Sequence, residues 1–209
     1  MKGIIFDLDG VIISTDEQHY QGWKALADQL GIPFDRETNN RFRGVSRMAC
    51  MDIIEEISGR TFTQEEKIQH ATWKNDYYRK LLEQMSPADL SEEVKTTLDA
   101  LRAKGLKLAI GSSSKNAKFI LERIGLADYF DAISDGTNIT RSKPDPEVFL
   151  KAADFLGLEP TDCLVVEDAV AGVEAARAGG MKAAAVGDAA SKNCGDYVLD
   201  TFSQLLLIS

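Results

Sequence analysis

The sequence predicts an α/β protein: a doubly wound parallel sheet with an inserted all-helical cap domain. From about residue 92 onward, short apolar segments with strand character alternate with amphipathic helical segments. This alternation is the order expected of a parallel sheet covered by helices. Residues 16–86 break the alternation, because they show helical patterns throughout. We therefore expect an α/β core formed by residues 1–14 and 87–209, and a helical cap domain formed by residues 15–86.

The elements of the predicted core follow one another with glycines or turn residues between them. The segment 163–166 is a continuous apolar run, which is typical of a parallel strand covered on both faces. Asp145 is the expected N-cap of a helix with Pro146 at its first position. We predict strands at 3–6, 106–110, 130–133, 163–166 and 182–186, and helices at 92–104, 117–124, 146 to about 157, and from the end of the fourth strand to Gly179.

Three helices are predicted in the cap domain. The first ends at Gly31, and one of its faces carries His19, Trp23, Leu26, Ala27 and Leu30. The second begins after Ser46, its expected N-cap, and ends near Gly59. The third begins with a capping box formed by Thr63 and Glu66 and extends to about residue 84.

Composition and charge limit the classes of function. The 209 residues are 44% hydrophobic and 27% charged, as in ordinary soluble globular proteins. No stretch approaches the roughly 20 apolar residues needed to cross a bilayer, and an acidic residue interrupts the N-terminus too early for a signal peptide. Cys50, Cys163 and Cys194 show neither metal-ligand nor disulfide spacing. We therefore expect a protein of the reducing cytoplasm.

The net charge of −9 places a condition on the binding partner. It argues against general binding to nucleic acid or to an anionic membrane. An anionic substrate would have to be held by a local cluster of cationic groups that acts against the overall field. The expected partner is a small molecule, bound by a monomeric protein.

Two aspartates follow the first apolar strand. Side chains two residues apart on a strand point the same way, so Asp7 and Asp9 are expected to project together from its carboxyl end. Beside the flexible Gly10, one carboxylate suits nucleophilic attack and the other suits proton transfer. Aspartate and glycine are also ordinary turn residues. From this segment alone, a turn and a catalytic pair remain equally open interpretations.

Three further strand ends carry polar residues, and ligands of open α/β sheets bind at such ends. The serine-rich loop 111–116 suits a phosphate at a helix N-terminus, or simply caps that helix. Pro144 holds Lys143 extended and could fix the direction of its ammonium group, although most loop lysines are only solvated. Glu167 and Asp168 suit a hard cation, unless Asp168 caps the next helix.

Taken together, these strand ends resemble the signature motifs of the haloacid dehalogenase superfamily of phosphotransferases, and the resemblance extends over the whole chain. The motifs are Asp7-Leu8-Asp9-Gly10-Val11, Ser112, Lys143-Pro144 and Glu167-Asp168. The resemblance implies a Rossmann-like core and phosphoryl transfer through an aspartyl-phosphate. Such transfer requires in-line positioning and cations facing the equatorial oxygens, and the implied site supplies the local positive cluster that the net charge demands.

The resemblance also implies a role for each motif residue. Asp7 is the implied nucleophile, and Asp9 is the implied general acid and base. The implied Mg²⁺ ligands are Asp7, the backbone carbonyl of Asp9, and Asp168, with Glu167 in or near the coordination sphere. The implied holders of the transferring phosphoryl group are Ser112, the backbone around Ser113, and Lys143.

Within the superfamily, the cap resembles a phosphomutase branch that exchanges the 1- and 6-phosphates of β-glucose through β-glucose 1,6-bisphosphate. The matching segments are 43–47, His19 with 23–26, 74–76, 86–89 and 114–116. The implied site for the phosphate that is not transferred consists of Arg47, Ser114, Lys115 and Asn116. The residues implied near the sugar are Gly44, Val45, Ser46 and Lys74. His19 is implied to couple cap closure to proton transfer by Asp9.

Alternatives remain open for the function and for individual residues. A phosphatase of the same fold needs only one phosphate site and water, and a non-catalytic sugar-phosphate-binding module needs no nucleophile. Arg47 could be a solvated arginine, although the dipole at a helix start disfavours a cation. His19 could be a residue of the cap core, and Trp23, a second candidate for substrate contact, is more typical of the core.

Overall fold

The computed structural model describes residues 1–42 and 46–209, which divide into two compact units. The first, called the core unit below, comprises Met1–Ser14 and Met85–Ser209. The second, called the helical unit, comprises Thr15–Gln84. The helical unit is therefore inserted between the first strand of the chain and the remainder of the core unit.

The core unit contains a six-stranded parallel sheet. Its strands are β1 Gly3–Phe6, β2 Lys107–Gly111, β3 Ala132–Ser134, β4 Cys163–Glu167, β5 Lys182–Ala185 and β6 Tyr197–Val198. The spatial order is β3-β2-β1-β4-β5-β6, so the sheet runs outward in both directions from β1. In register, Phe6 pairs with Ile110 on one side and with Val166 on the other. This arrangement confirms the predicted doubly wound parallel sheet and brings the carboxyl ends of β1, β2 and β4 side by side.

Helices occupy the segments between the strands and most of the helical unit. Those of the helical unit are α1 Asp16–Leu30, α2 Arg36–Asn40, α3 Arg47–Ser58 and α4 Gln64–Leu82. Those of the core unit are α5 Glu92–Ala103, α6 Ala117–Arg123, α7 Glu147–Leu156, α8 Val170–Ala178, α9 Gly187–Ser191 and α10 Leu205–Ile208. Short 3₁₀ turns cover Pro87–Asp89, Pro160–Asp162 and Phe202–Gln204.

The predicted helix ends in the helical unit are confirmed where a cap specifies them. Gly31 ends α1 in the left-handed conformation, with φ of 67°. The Ser46 side chain accepts a hydrogen bond from the backbone N–H of Ala49 at the start of α3. At the start of α4, Thr63 and Glu66 form the predicted capping box.

The structure corrects the predicted start of α7. Asp145 was expected to cap a helix beginning at Pro146, but α7 begins at Glu147. The Asp145 Oδ1 atom nevertheless accepts a bond from the Glu147 N–H two residues on, at 3.0 Å, which is the kind of bond expected of an N-cap side chain. The elements α2, α9, α10 and β6 were not predicted, because each is too short to show a helical or strand period.

Each unit has its own apolar core. In the core unit, buried residues of β1, β2, β4 and β5 pack against α7 and α8, and alanines such as Ala109, Ala183 and Ala185 leave room for the helices. In the helical unit, Phe42 lies with its ring centroid 5.3 Å from that of Trp23 and 5.0 Å from that of Phe34. Trp23 therefore belongs to the core of the helical unit.

Among the helices of residues 1–42 and 46–209, none combines the length and the apolar character of a membrane span.

Candidate active site of the core unit

A buried ion cluster lies at the carboxyl ends of β1 and β4. The Lys143 Nζ atom lies 2.6 Å from Asp7 Oδ1 and also donates to Glu167 Oε1. The Glu167 side chain is only 1% exposed, and those of Asp7 and Lys143 are 11% and 12% exposed. The structure thus brings Asp7 together with two residues that lie more than a hundred positions later in the sequence. A buried cluster of this kind is stable only when its charges are paired.

The parallel sheet fixes where these carboxylates lie. The Asp7 N–H donates to the Val166 carbonyl at 2.9 Å, which continues the β1–β4 pairing by one residue. Glu167 is the last residue of β4, and its Oε2 atom accepts from the Ala169 N–H at 2.9 Å. Beneath the cluster, the Phe149 ring of α7 lies with its centroid 4.7 Å from Lys143 Nζ, within the range of a cation–π contact.

Charge crowding shifts the ionisation of the cluster. Burial disfavours the charged form of Lys143, but the Asp7 and Glu167 carboxylates outweigh it and raise the lysine pKa above its ordinary value. Burial raises the pKa of Glu167, against the attraction of Lys143. Burial and the charges of Glu167, Asp7 and Asp9 raise the pKa of Asp168 to about 7. The protein therefore holds more carboxylates here than one ammonium group neutralises.

Asp7, Glu167 and Asp168 can provide oxygen ligands for a metal ion. One carboxylate oxygen from each lies within 4.8 Å of the others, and these three residues are the only such group within the described part of the chain. Carboxylate oxygens are the ligands that Mg²⁺ prefers. The Asp9 side chain is half-buried on the turn that follows β1 and is not one of the three. The prediction for Asp9 concerns its backbone carbonyl.

Two glycines make the cluster possible, and sequence reasoning missed one of them. A Cβ atom on Gly10, whose φ is +83°, would lie 2.2 Å from Asp168 Oδ2. A Cβ atom on Gly172 would lie 1.9 Å from the Cδ atom of Glu167. A glycine inside a helix costs stability relative to alanine. Gly172 was therefore a detectable anomaly in the predicted helix after β4.

The predicted phosphate loop follows β2. Ser112 is buried, and its N–H donates to the Ser134 carbonyl of β3 at 3.0 Å. Its Oγ atom accepts from the Ser114 N–H at 3.2 Å, and the Ser114 Oγ atom accepts from the Asn116 N–H at 3.1 Å. Lys115 is exposed, whereas Asn116 is buried. The serine hydroxyls therefore shape the loop as local acceptors, beside the strand that carries Asp7.

The structure removes one alternative for Asp168. Helix α8 begins at Val170, and Ala169 occupies its N-cap position. Asp168 is not the helix cap that its position in the sequence allowed. Its backbone carbonyl accepts from the Ala189 N–H at 2.7 Å, which ties it to α9.

The helical unit contains a second polar cluster, and it is described by itself. Lys74 is 3% exposed, and its Nζ atom lies 2.9 Å from His19 Nδ1. Because an ammonium group only donates, the His19 Nδ1 atom accepts and the ring proton belongs on Nε2. Burial and the charges of Lys74 and Arg47 lower the pKa of His19 well below its ordinary value. The imidazole is therefore neutral at physiological pH.

Tyr78 organises this cluster and was not predicted. Its ring stacks on His19 with centroids 4.2 Å apart, and Lys74 Nζ lies 4.6 Å from the centroid of the same ring. Its hydroxyl donates to Thr15 Oγ1 at 3.0 Å. Lys74 also lies 4.8 Å from the centroid of the Trp23 ring. Lys74 was expected on a sugar-facing surface, but it is engaged with these residues of the helical unit.

The remaining predicted residues of the helical unit lie at the start of α3. Arg47 is the first residue of α3, and burial lowers its pKa. The Ser46 hydroxyl acts as the helix cap. The predictions for Gly44 and Val45 fall outside the residues that the structure describes.

The fold and the cluster define a class of protein, and a comparison with protein families agrees. A family model for haloacid dehalogenase-like hydrolases matches residues 1–180. The chain belongs to this family, and the resemblance predicted from its four motifs is confirmed.

Individual relatives within this family include enzymes of sugar phosphates. The chain is 40% identical to the β-phosphoglucomutase of Bacillus subtilis strain 168, over 99% of this chain and 92% of that protein. The crystal structure of β-phosphoglucomutase from Clostridium difficile is similar with a TM-score of 0.89 at 35% identity, covering 98% of this chain and 93% of that one. The chain is also 32% identical to the fructose-1-phosphate phosphatase of Escherichia coli strain K12, over 87% of this chain and 94% of the relative. Both mutases and phosphatases of sugar phosphates are therefore relatives.

Proposed function

We propose that the protein is a magnesium-dependent β-phosphoglucomutase. It interconverts β-D-glucose 1-phosphate and D-glucose 6-phosphate through β-glucose 1,6-bisphosphate and an aspartyl-phosphate on Asp7. The observation that carries this proposal is the buried cluster of Asp7, Lys143 and Glu167 beside Asp168. The 40% identity to a β-phosphoglucomutase over nearly the whole chain supports the choice of substrate.

The donor set fits Mg²⁺. Three carboxylates converge on one point, and burial together with the repulsion between these groups raises the pKa of Asp168. Asp7, the backbone carbonyl of Asp9, and Asp168 would hold the ion, with Glu167 beside them. The bound ion supplies positive charge that offsets this repulsion and polarises the phosphoryl oxygens.

The core residues divide the work of phosphoryl transfer. A carboxylate oxygen of Asp7 attacks the phosphorus of the bound phosphate, and the bond from phosphorus to the sugar oxygen breaks. Asp9 gives a proton to that sugar oxygen as it leaves. In the reverse direction Asp9 takes the proton from the sugar hydroxyl that attacks the phosphoenzyme. Ser112, the backbone around Ser113, and Lys143 hold the transferring group.

A mutase must also hold a phosphate that is not being transferred, because its intermediate carries two. Arg47, Ser114, Lys115 and Asn116 are proposed to hold this second phosphate. An arginine suits the task, since its guanidinium group binds phosphate through two parallel hydrogen bonds. His19 is proposed to couple closure of the cap to proton transfer by Asp9. Its neutral ring, with the proton on Nε2, supports a hydrogen-bonding role.

A second candidate is a phosphatase that acts on a sugar phosphate. The 32% identity to a fructose-1-phosphate phosphatase favours it. In such an enzyme water rather than a sugar hydroxyl would attack the phosphoenzyme. A non-catalytic sugar-phosphate-binding module would not require Asp7 and Asp9, and an Asp7→Asn variant as active as the parent would favour that module.

One assay separates these functions. The protein is incubated with Mg²⁺, β-glucose 1-phosphate and a trace of β-glucose 1,6-bisphosphate, and glucose 6-phosphate and free phosphate are measured together. A mutase produces glucose 6-phosphate with little free phosphate. Rapid release of phosphate without glucose 6-phosphate would rule out the mutase and leave the phosphatase.

A further inference from the structure

Lys143 lies on an irregular segment, and this raises the question of what holds it in place. Residues 135–146 connect β3 to α7 without forming a helix or a strand of their own. Such a segment has no ladder of backbone hydrogen bonds to fix it, so its conformation depends on individual side chains. The Lys143 ammonium group must nevertheless reach Asp7 Oδ1 to within 2.6 Å.

Glu147 is the side chain with the most bonds to this segment. Its Oε2 atom accepts from the Arg141 N–H and from the Thr140 hydroxyl, both at 2.9 Å. The Thr140 N–H lies 3.1 and 3.2 Å from its two oxygens. On the helix side, Lys151 Nζ lies 2.9 Å from Oε1. The Glu147 side chain is 11% exposed, so water competes little for these bonds.

The bonds of Glu147 join the two ends of the segment that carries Lys143. Glu147 begins α7, and Thr140 and Arg141 lie six to seven residues before it, so a single carboxylate ties both ends of the segment 140–147. Within this closed segment, the Asp145 N–H donates to the Ser142 carbonyl at 3.1 Å. Bonds from backbone amides to an ionised carboxylate are about twice as strong as neutral ones.

The carboxylate remains charged under all ordinary conditions. The Lys151 ammonium group and the backbone N–H of Arg141 lower the pKa of Glu147 to about 2. Glu147 therefore keeps its negative charge, and with it these bonds, over the pH range in which enzymes work.

We propose that Glu147 is a positioning residue for Lys143: its carboxylate holds the segment 140–147 so that the lysine ammonium group meets Asp7 and Glu167. The inference rests on the proposed function in one respect, namely that Lys143 holds the transferring phosphoryl group. The bonds of Glu147 go to Thr140, Arg141 and Lys151, so in this proposal it acts through Lys143 and not on the reacting atoms.

The first test measures the position of Lys143 without any reaction. The parent protein and Glu147→Gln are labelled with acetic anhydride, and acetylation of Lys143 is measured by peptide mass spectrometry. We expect labelling of Lys143 to be about tenfold faster in the variant, which corresponds to the loss of one charge-assisted bond. Thr140→Val removes only the hydroxyl bond and should give a smaller increase, which keeps the test available if Glu147→Gln folds poorly.

A matched control comes from the same unit. Glu93 of α5 also accepts a backbone bond, from the Ser203 N–H at 3.0 Å, but it anchors a segment remote from Lys143 in the sequence. Glu93→Gln should leave Lys143 labelling unchanged. Equal labelling of Lys143 in the parent and in both Glu147→Gln and Thr140→Val would overturn the inference.

The second test connects the position of Lys143 to phosphoryl transfer. Nitrophenolate release from p-nitrophenyl phosphate is measured in the parent, Glu147→Gln, Lys143→Ala and the double variant. If Glu147 acts through Lys143, its substitution slows the parent but adds little to Lys143→Ala. Equal slowing in both backgrounds would show a general structural role and contradict the inference. Faster labelling of Lys143 with an unchanged rate of release would instead contradict the proposed role of Lys143.

Discussion

At the scale of single residues, the charge balance of the core cluster depends on Lys143. Its ammonium group is the partner of two carboxylates that are themselves almost fully enclosed. Removing one member of a buried ion pair leaves the other charge uncompensated, and this costs more than the pair contributes in net terms. Substitution of Lys143 should therefore lower the stability of the protein, which can be measured apart from catalysis.

We predict that Lys143→Met lowers the free energy of unfolding by about 3 kcal/mol at pH ~8 without Mg²⁺. Added Mg²⁺ should recover part of this loss, because the ion takes over the compensation of the carboxylates. Urea denaturation with and without Mg²⁺ measures both effects. Lys192→Met is the control, since Lys192 pairs with Asp188 on the exposed surface and its loss should leave the free energy of unfolding close to that of the parent. Equal stability of the two variants would contradict this account.

The raised pKa of Asp168 predicts a pH dependence of metal binding. A proton on Asp168 competes with Mg²⁺, so affinity should increase about tenfold between pH ~6 and pH ~8 and then level off. Isothermal titration calorimetry of the substrate-free protein measures this directly. An affinity that is the same at both pH values would contradict the prediction.

The raised pKa of Asp168 also determines the direction in which stability changes with pH. The folded protein holds the Asp168 proton more tightly than the unfolded chain does, because the folded pKa of about 7 lies above the ordinary value. This contribution is therefore present at low pH and is lost as the pH rises through 7. Thermal unfolding without Mg²⁺ should show this loss, and Mg²⁺ should suppress it.

Individual residues differ in how far the sequence predicts them. The approach of Asp7, Glu167 and Asp168 could be predicted, because the carboxyl ends of adjacent parallel strands share one edge of the sheet. The burial of Lys74 could not, because no local pattern distinguishes a lysine packed between aromatic rings from a solvated one. The role of Glu147 could not be predicted either, because its partners lie in a segment without a repeating sequence pattern.

At the scale of elements, α8 shows a conflict between helix propensity and packing. Gly172 lies inside α8, where alanine would stabilise the helix by up to about 1 kcal/mol. A Cβ atom at this position would overlap the Glu167 carboxyl group. Packing should outweigh propensity, because the Glu167 side chain is buried and paired with Lys143, and a shift away from the new methyl group would disturb that pair.

We therefore predict that Gly172→Ala destabilises the protein by about 1–3 kcal/mol and weakens Mg²⁺ binding. Differential scanning calorimetry and Mg²⁺ titration measure the two effects. Ala175, on the same helix and fully buried, provides a comparison: Ala175→Gly should cost stability through propensity but leave the Mg²⁺ affinity close to that of the parent. A more stable Gly172→Ala variant with normal affinity would contradict the role assigned to this glycine.

Element boundaries were predictable where a side chain specifies them. Ser46, Thr63 and Glu66 bond to backbone groups within three residues, so the sequence alone contains their effect. The start of α7 differs from the prediction by one residue, although Asp145 makes the bond to the Glu147 N–H that is expected of an N-cap.

At the scale of the whole molecule, the choice between mutase and phosphatase depends on the proposed second phosphate site. We predict that Arg47→Ala lowers kcat/KM for β-glucose 1-phosphate about a hundredfold. Hydrolysis of p-nitrophenyl phosphate should change less than about twofold, since this substrate has a single phosphate. Steady-state kinetics with both substrates measure the difference.

Arg41→Ala is the matched control for that prediction. Arg41 belongs to the same unit and pairs with Glu56, and both side chains are exposed. Its removal should leave both activities unchanged. A parallel loss of both activities in Arg47→Ala would indicate damage to the helical unit and contradict the assigned role.

The central place of β1 in the sheet has a consequence for synthesis of the protein. Ile4 pairs with Leu108 on one side and with Leu164 on the other, so this early strand acquires its two neighbours only after most of the chain has been translated. Contacts of such long sequence separation form slowly. The helical unit, Thr15–Gln84, is translated before either of these neighbouring strands. During translation, the apolar strand that leads to Asp7 therefore stays without its sheet neighbours until β4 has been made, and such exposed apolar strands are prone to aggregation.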